Sequence, residues 1–119
     1  MMIDSLDMND DHRKKIVDEI NTIKANKILI THGTSTMVET AQFIEEHITD
    51  SNKTIVLVGA MVPLEGFYPT DAPFNLGYAI AQLQTRKAGI YICMNAHCFT
   101  PDEAIKNTEI ARFEFKEAS

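Results

Sequence analysis

The stretch KILITHGTSTMVET, residues 27–40, decides the fold, because an apolar strand runs directly into a hydroxyl-rich turn that opens a helix. The β-type residues at its start predict a buried strand over residues 27–31. Gly33 permits a tight turn, and Thr36 with Glu39 forms a Thr-x-x-Glu capping box that predicts the start of the next helix. N–H groups and hydroxyls then gather at the positive end of a helix dipole, where an anionic group binds well. The local pattern alone favours a plain capped turn.

The rest of the chain alternates helices and strands. Apolar residues at helical spacing predict a first helix after Asn9, and further helices are predicted over about 36–46 and about 70–85, the last with Pro73 in its first turn. Continuous apolar runs predict strands over residues 27–31 and 54–58 that are covered by helices on both faces, and a further strand is predicted over residues 89–94. This βαβαβ order predicts one three-layer α/β domain over residues 1–119, with a mainly parallel sheet and right-handed crossovers, like Rossmann and flavodoxin folds.

The end of the chain has a weaker pattern. Residues 100–102 are predicted to form a turn, residues 103–106 a short helical piece, and residues 112–115, which alternate apolar and polar, a final edge strand.

Composition excludes several classes of function. The chain has 119 residues, 45% of them hydrophobic, which is enough for one buried core, and no apolar run is long enough to cross a bilayer. A net charge of −6 opposes binding to nucleic acid, and the short basic run at residues 13–15 is predicted to be the solvated face of a helix. The first ten residues lack the pattern of a secretory signal, so we expect a cytoplasmic protein without a membrane partner.

Cys93, His97 and Cys98 raise the question of a metal site. Zinc normally takes four ligands in recognisable pairs, and Cys93 lies within an apolar run, so a buried structural thiol is the preferred interpretation. We expect neither a metal nor a cofactor. His32 lies within the central turn, where a histidine that orders the turn is favoured over a catalytic base.

Five motifs in the same order resemble those of the bacterial-type L-asparaginases. The central motif is ITHGTSTM followed by ETA. DSLDMND at residues 4–10 is similar to the family's substrate-carboxylate loop, VGAMVP at residues 58–63 to its Gly-Ala-Met-x-Pro segment, and DAPFNL at residues 71–76 to a helix start. The spacing from Met94-Asn95 to Lys106 is similar to that leading to the family's catalytic lysine. The similarity runs from about residue 4 to about residue 107 and implies the family's N-terminal domain.

The resemblance implies a role for each site residue. Thr34 would activate the attack or the water, and Lys106 would tune that threonine. The backbone at Ala60 would receive the substrate's side-chain amide, and Ser5 would bind its α-carboxylate. Ser35 stands where the family has an aspartate that pairs with the lysine and holds the α-ammonium group. Most of these residues follow strand ends, where open α/β sheets bind ligands, and the implied substrate is an asparagine-like amide.

Three departures from the family pattern bear on activity. The sequence has no Gly-Gly pair, so the nucleophile segment Thr-Gly-Gly-Thr-Ile and the strand that carries it are missing from it. Ser35 brings no charge, and Leu6 occupies a position that is often polar. We therefore expect an amidohydrolase domain that is inactive as this chain. The alternative is a non-catalytic relative that binds a small amino acid or anion, or has a structural role. The unpaired sheet edge predicts a homo-oligomer.

Overall fold

The computed structural model of the protein describes residues 8–61, 70–107 and 112–116. Its elements in chain order are α1 (Asp10–Thr22), β1 (Lys27–Thr31), α2 (Met37–His47), β2 (Thr54–Val58), α3 (Ala72–Thr85), β3 (Gly89–Met94), β4 (His97–Phe99), β5 (Ala104–Asn107) and β6 (Arg112–Phe115). The bounds of the three helices and of the strands β1, β2, β3 and β6 confirm the sequence prediction. The strand β1 was expected to be buried, and this was wrong, because its two end residues are exposed and the three between them are half-buried. Residues 103–106 were expected to be helical, and this was wrong, because residues 104–107 form β5 paired with β6.

The two N-terminal helices begin in different ways. Asn9 caps α1: its Oδ1 accepts a hydrogen bond from the His12 amide at 3.1 Å, and His12 Nδ1 accepts one from the Asn9 amide at 3.2 Å. Thr36 occupies the N-cap of α2, but within the described chain its side chain makes no capping hydrogen bond. The predicted capping box at Thr36 and Glu39 is therefore wrong. With φ −128° and ψ 27°, Thr36 lies outside the extended conformation that directs an N-cap side chain toward the helix amides.

The main sheet has the strand order β1-β2-β3-β4. The first three strands are parallel, with Lys27 opposite Thr54 and Thr54 opposite Gly89. The strand β4 then turns back against β3 through Asn95 and Ala96, whose φ values of 53° and 58° are those of a tight two-residue hairpin turn. The predicted three-layer α/β architecture is confirmed, and the short antiparallel strand β4 is an addition to it.

The helices cover the sheet on both faces. The helices α1 and α2 pack on the face formed by Ile55 and Leu57 of β2, whereas α3 packs on the face formed by Val56 and Val58. Every residue of β2 is buried as a result. This arrangement corrects the expectation that all crossovers are right-handed. Both crossovers step in the same direction across the sheet, yet α2 and α3 lie on opposite faces, so one crossover must be left-handed, a connection found in about 2% of cases.

Candidate active site

Thr34 and Lys106 are in direct contact at the carboxyl end of β1. Lys106 Nζ donates a hydrogen bond to Thr34 Oγ1 at 2.9 Å, and both side chains are half-buried. The two residues are 72 positions apart in sequence, so the contact depends on the fold and not on local geometry. It places an ammonium group against a hydroxyl oxygen at the edge of the sheet where ligands of open α/β folds bind.

A cavity of about 410 Å³ opens beside this contact. It is lined by Thr34, Ser35 and Lys106 together with side chains of α2 and a second lysine, among them Glu39, Gln42 and Lys116. The cavity also lies next to the first turn of α2, whose dipole favours negative charge. Two cations and one carboxylate therefore face a common space, which suits a small ligand that carries both charges.

The second sheet holds Lys106 in place. Lys106 lies opposite Phe113 in the β5–β6 pair, and the Phe113 side chain is fully buried against Phe99. The Phe113 amide donates a hydrogen bond to Asn95 Oδ1 at 2.6 Å, which fastens β6 to the end of β3. Asn95 thus links the carboxyl end of the main sheet to the strand pair that carries the lysine.

Asn75 fastens the start of α3 to the ends of two strands. Its side chain is 1% exposed, and Nδ2 donates to the Gly59 carbonyl at 3.0 Å and to Asp71 Oδ2 at 2.8 Å. Oδ1 accepts from the Asn95 amide at 3.3 Å. The sequence resemblance included Asn75 within a motif, but only the structure shows that it positions the residues after β2 and β3.

The end of β2 approaches β1 closely at Gly59. A methyl group on Gly59 would collide with the carbonyl oxygen of His32 and would lie 3.4 Å from Thr34 Cγ2. Glycine is therefore required for the loops that follow β1 and β2 to meet. Ala60, the next residue, lines a different and larger groove with His32 and Gly33, and it does not line the cavity of Thr34 and Lys106.

The structure thus brings together Thr34, Ser35 and Lys106 of the predicted site. It places Ala60 nearby, on a separate surface. Ser5 and Leu6 lie outside the described residues. Glu39 was not predicted as a cavity residue, because the sequence pattern assigned it to the capping box with Thr36. Lys116 was also missed, since it has no motif around it.

His32 orders the central turn. Its Nδ1–H donates to the neighbouring Gly33 carbonyl, and its Nε2 accepts from Thr40 Oγ1 at 2.9 Å. Thr40 Oγ1 in turn accepts from Arg13 Nε at 3.0 Å. Burial lowers the pKa of His32 below its ordinary value, which favours the neutral ring, and both nitrogens are engaged in hydrogen bonds. This geometry fits the ordering role predicted for His32 and leaves neither nitrogen free to act as a base.

Arg13 corrects the prediction that the basic run at residues 13–15 is a solvated helix face. Its side chain is buried, bonded to Thr40 and paired with Asp10 at 3.0 Å. Lys14 and Lys15 are exposed, as expected. The reason is helical spacing, since Arg13 lies one turn before the core residue Val17 and so faces α2.

One edge of β1 faces away from β2. Within the described part of the chain, β1 pairs with β2 alone. A groove of about 920 Å³ runs along its outer side between α1 and α3. The groove wall includes apolar side chains of both helices, and Ile23 and Leu76 are 37% and 39% exposed. Among the described residues, this edge therefore leaves backbone groups of β1 without a strand partner beside apolar surface, with space for a further strand.

The described ranges hold neither a cluster of metal-binding side chains nor a membrane-spanning helix. In residues 8–61, 70–107 and 112–116, no three His, Cys, Asp or Glu side chains are grouped so that they could hold a metal ion. Over the same ranges, no helix has the length and apolar character needed to cross a membrane.

The comparison with known proteins identifies the family. The family model described as "Asparaginase, N-terminal" matches residues 1–118. The chain belongs to the asparaginase family. It is similar to L-asparaginase 2 of Escherichia coli (strain K12), with 35% identity over 119 residues, which covers 94% of this chain and 34% of that protein. It is also similar to a glutaminase-asparaginase of Acinetobacter glutaminasificans, with 33% identity over 105 residues, 86% of this chain and 31% of that protein.

A solved structure supports the same assignment. The crystal structure of a probable cytoplasmic L-asparaginase from Campylobacter jejuni superposes with a TM-score of 0.84 at 31% sequence identity, and the match covers 95% of this chain and 37% of that one. The asparaginase-like chain thus spans about a third of the length of these relatives, and it corresponds to the family's N-terminal domain.

Proposed function

We propose that this domain forms the threonine–lysine part of an asparaginase-type active site, which acts on the side-chain amide of asparagine or a similar amino acid. The observation that carries the proposal is the hydrogen bond between Lys106 Nζ and Thr34 Oγ1. In this role Thr34 and Lys106 are the catalytic residues. Ser35 lines the same cavity and contributes to substrate binding, and the same role for Ala60 and Ser5 rests on the family resemblance.

The chemistry follows from the charge beside the hydroxyl. The Lys106 ammonium group donates to Thr34 Oγ1, so the hydroxyl proton of Thr34 stays available for transfer to another group. The positive charge of Lys106 then stabilises the oxyanion that remains on Thr34. Thr34 then transfers a proton to or from the reacting group. The cavity beside it is large enough for an amino-acid side chain, and Lys116 and Glu39 offer charges of both signs to the substrate's own charged groups.

We further propose that this chain does not hydrolyse the amide when it acts alone. The sequence contains no Thr-Gly-Gly-Thr segment to supply the family nucleophile. Ser35 also replaces a charge-assisted hydrogen bond to the substrate's ammonium group by a neutral one, which weakens binding by about 1 kcal/mol or more. The groove along β1 supports the idea that a further strand, which carries the nucleophile, completes the site.

Ammonia release tests this proposal. The chain, its Thr34→Ala variant and the surface control Lys14→Met are incubated with L-asparagine and with L-glutamine in a coupled ammonia assay. We expect no release above background for any of the three. If the unaltered chain releases ammonia and Thr34→Ala does not, that result would falsify the proposed inactivity. In that case the control Lys14→Met must release ammonia at the same rate as the unaltered chain.

The second candidate is a non-catalytic domain that binds a small amino acid or anion. Lys106 and Lys116 share one cavity next to the start of α2, and this concentration of positive charge favours the candidate. Calorimetry with L-aspartate measures such binding. The candidate predicts an affinity that falls at least about tenfold in Lys106→Met and is unchanged in Lys14→Met, with no turnover even when a nucleophile segment is added.

Two further proposals concern assembly and location. We expect self-association through the open edge of β1, because pairing of two such edges covers both the backbone groups and the apolar groove. Light scattering that gives a monomer mass over a wide concentration range contradicts this. We place the protein in the cytoplasm, which fits the free thiols of Cys93 and Cys98, and cell fractionation tests that assignment.

A further inference from the structure

Two cysteines face each other outside the proposed active site. Cys93 on β3 is directly opposite Cys98 on β4, and both are free thiols. Their sulfur atoms are 3.2 Å apart, with the Cys93 S–H donating to Cys98 Sγ. They lie on the face of the sheet that α3 covers. Neither thiol has a part in the amide chemistry proposed for Thr34 and Lys106.

The hairpin geometry suits a covalent link between them. Met94 and His97 flank the two-residue turn and form its hydrogen-bonded closing pair, so Cys93 and Cys98 occupy the next, non-hydrogen-bonded pair. In such a pair the Cα atoms are about 4.5 Å apart, and this lies within the range that a disulfide spans. The sulfur atoms need only a small movement to reach bonding distance.

The surroundings make the two thiols unequal. Cys98 is half-exposed at the short edge strand, whereas the Cys93 side chain is fully buried. The hydrogen bond from Cys93 lowers the pKa of Cys98, and the same hydrogen bond, together with burial, raises the pKa of Cys93. Cys98 is therefore both the accessible sulfur and the one that forms a thiolate more readily, and it is the attacking group.

His97 does not join the pair. Side chains alternate along β4, so His97 points to the face opposite Cys98, where its ring stacks on Phe99 with centroids 5.9 Å apart. The part of the chain that the structure describes offers the pair no third ligand, and two sulfur ligands alone do not make a zinc site. The pair is consequently better suited to thiol–disulfide exchange than to metal binding.

We propose that Cys93 and Cys98 form a dithiol site that a low-molecular-weight disulfide, such as oxidised glutathione, converts into an intramolecular disulfide. The Cys98 thiolate attacks one sulfur of glutathione disulfide, forms a mixed disulfide and releases one glutathione thiolate. Cys93 loses its proton to solvent and attacks Cys98 Sγ, which breaks the mixed disulfide and releases the second glutathione thiolate. The two electrons lost by the protein thiols reduce one glutathione disulfide to two thiols.

Intact-mass measurement after alkylation tests the site. The folded chain is treated with oxidised glutathione, quenched with acid, and alkylated. We expect a product that is lighter by two hydrogen atoms, that takes up no alkylating reagent, and that yields a peptide linking Cys93 to Cys98. In Cys93→Ala the resolving thiol is gone, so the reaction stops with one glutathione attached to Cys98. In Cys98→Ser the buried thiol reacts at least about tenfold more slowly than the wild-type chain.

Three results overturn the proposal. The first is a wild-type chain that keeps both thiols free after the treatment with oxidised glutathione. The second is a stable glutathione adduct on the wild-type chain in place of the internal link. The third is a Cys98→Ser variant that reacts as fast as the wild type. The first two are read on the wild-type chain, so they do not depend on whether Cys93→Ala affects folding.

Discussion

Asn75→Ala is the substitution that tests most directly how the strand ends are held together. The buried Asn75 side chain makes three hydrogen bonds with oxygen and nitrogen groups, to the Gly59 carbonyl, to Asp71 Oδ2 and from the Asn95 amide, and a weaker one to Met94 Sδ at 3.6 Å. A typical hydrogen bond contributes about 1 kcal/mol net, and burial leaves the abandoned partners poorly solvated. We therefore expect the free energy of unfolding to fall by about 3 kcal/mol.

The assay is urea denaturation at 25 °C, followed by circular dichroism. Gln84→Ala is the matched control, because Gln84 is an exposed residue of the same helix and an exposed change of this kind moves stability by less than about 0.5 kcal/mol. The slope of unfolding free energy against urea must be similar in all three proteins for the values to be compared. A loss below about 1 kcal/mol in Asn75→Ala, with an unchanged slope, refutes the assignment of Asn75 as the residue that joins α3 to both strand ends.

Three further predictions concern other buried contacts. Because burial lowers the pKa of His32 below its ordinary value of 6.5, the unfolded chain binds protons more readily. The contribution of His32 to the free energy of unfolding is therefore complete above that pH and is lost as the pH falls below it. We expect the free energy of unfolding in urea to fall less between about pH 7.5 and about pH 5.5 in His32→Gln than in the wild type. An equal fall in both proteins contradicts this. Lys53 Nζ donates hydrogen bonds to two carbonyls after α1 at 2.6 and 2.8 Å. Lys53→Met should therefore lower the free energy of unfolding by about 2 kcal/mol. A change within about 0.5 kcal/mol contradicts this prediction. Gly59→Ala should destabilise the protein by about 1–3 kcal/mol, because the new methyl group collides with the His32 carbonyl. Gly77→Ala should stabilise it by about 0.5–1 kcal/mol, because the new methyl group in α3 has open space around it. Equal effects of the two substitutions on thermal unfolding contradict the close approach at Gly59.

Most of the elements were predictable because they carry strong local patterns. The apolar runs of β1, β2 and β3, and the capped helix after Asn9, each specify their own structure over five or more residues. The strand β4 has only three residues, and β5 has no alternation that could be read from the sequence. These short strands form because β3 and β6 offer pairing partners. Their structure therefore depends on tertiary contacts and not on local propensity.

The site was predictable only in part. Motif resemblance selected Thr34 and Lys106, and the structure shows the contact between them. The left-handed crossover could not be foreseen, because nothing in the order of elements says which face each helix covers. The burial of Arg13 was missed for a related reason. A basic residue on a polar helix is predicted to be solvated. Only the fold shows that Arg13 lies opposite the buried hydroxyl group of Thr40 and hydrogen-bonds to it.

The central claim, proposed above, is that this domain contributes the Thr34–Lys106 part of an amide-hydrolysing site, and its sequence contains no Thr-Gly-Gly-Thr segment. The most direct measurement is ammonia release from L-asparagine by a variant with two changes. The chain is extended at its N-terminus with a strand that carries Thr-Gly-Gly-Thr-Ile, and Ser35 is replaced by Asp. We predict turnover that is absent in the unextended chain and is lost by at least about a hundredfold when Lys106→Met is added. A folded, extended chain with Ser35→Asp that gives no turnover, or turnover that is unaffected by Lys106→Met, contradicts the claim.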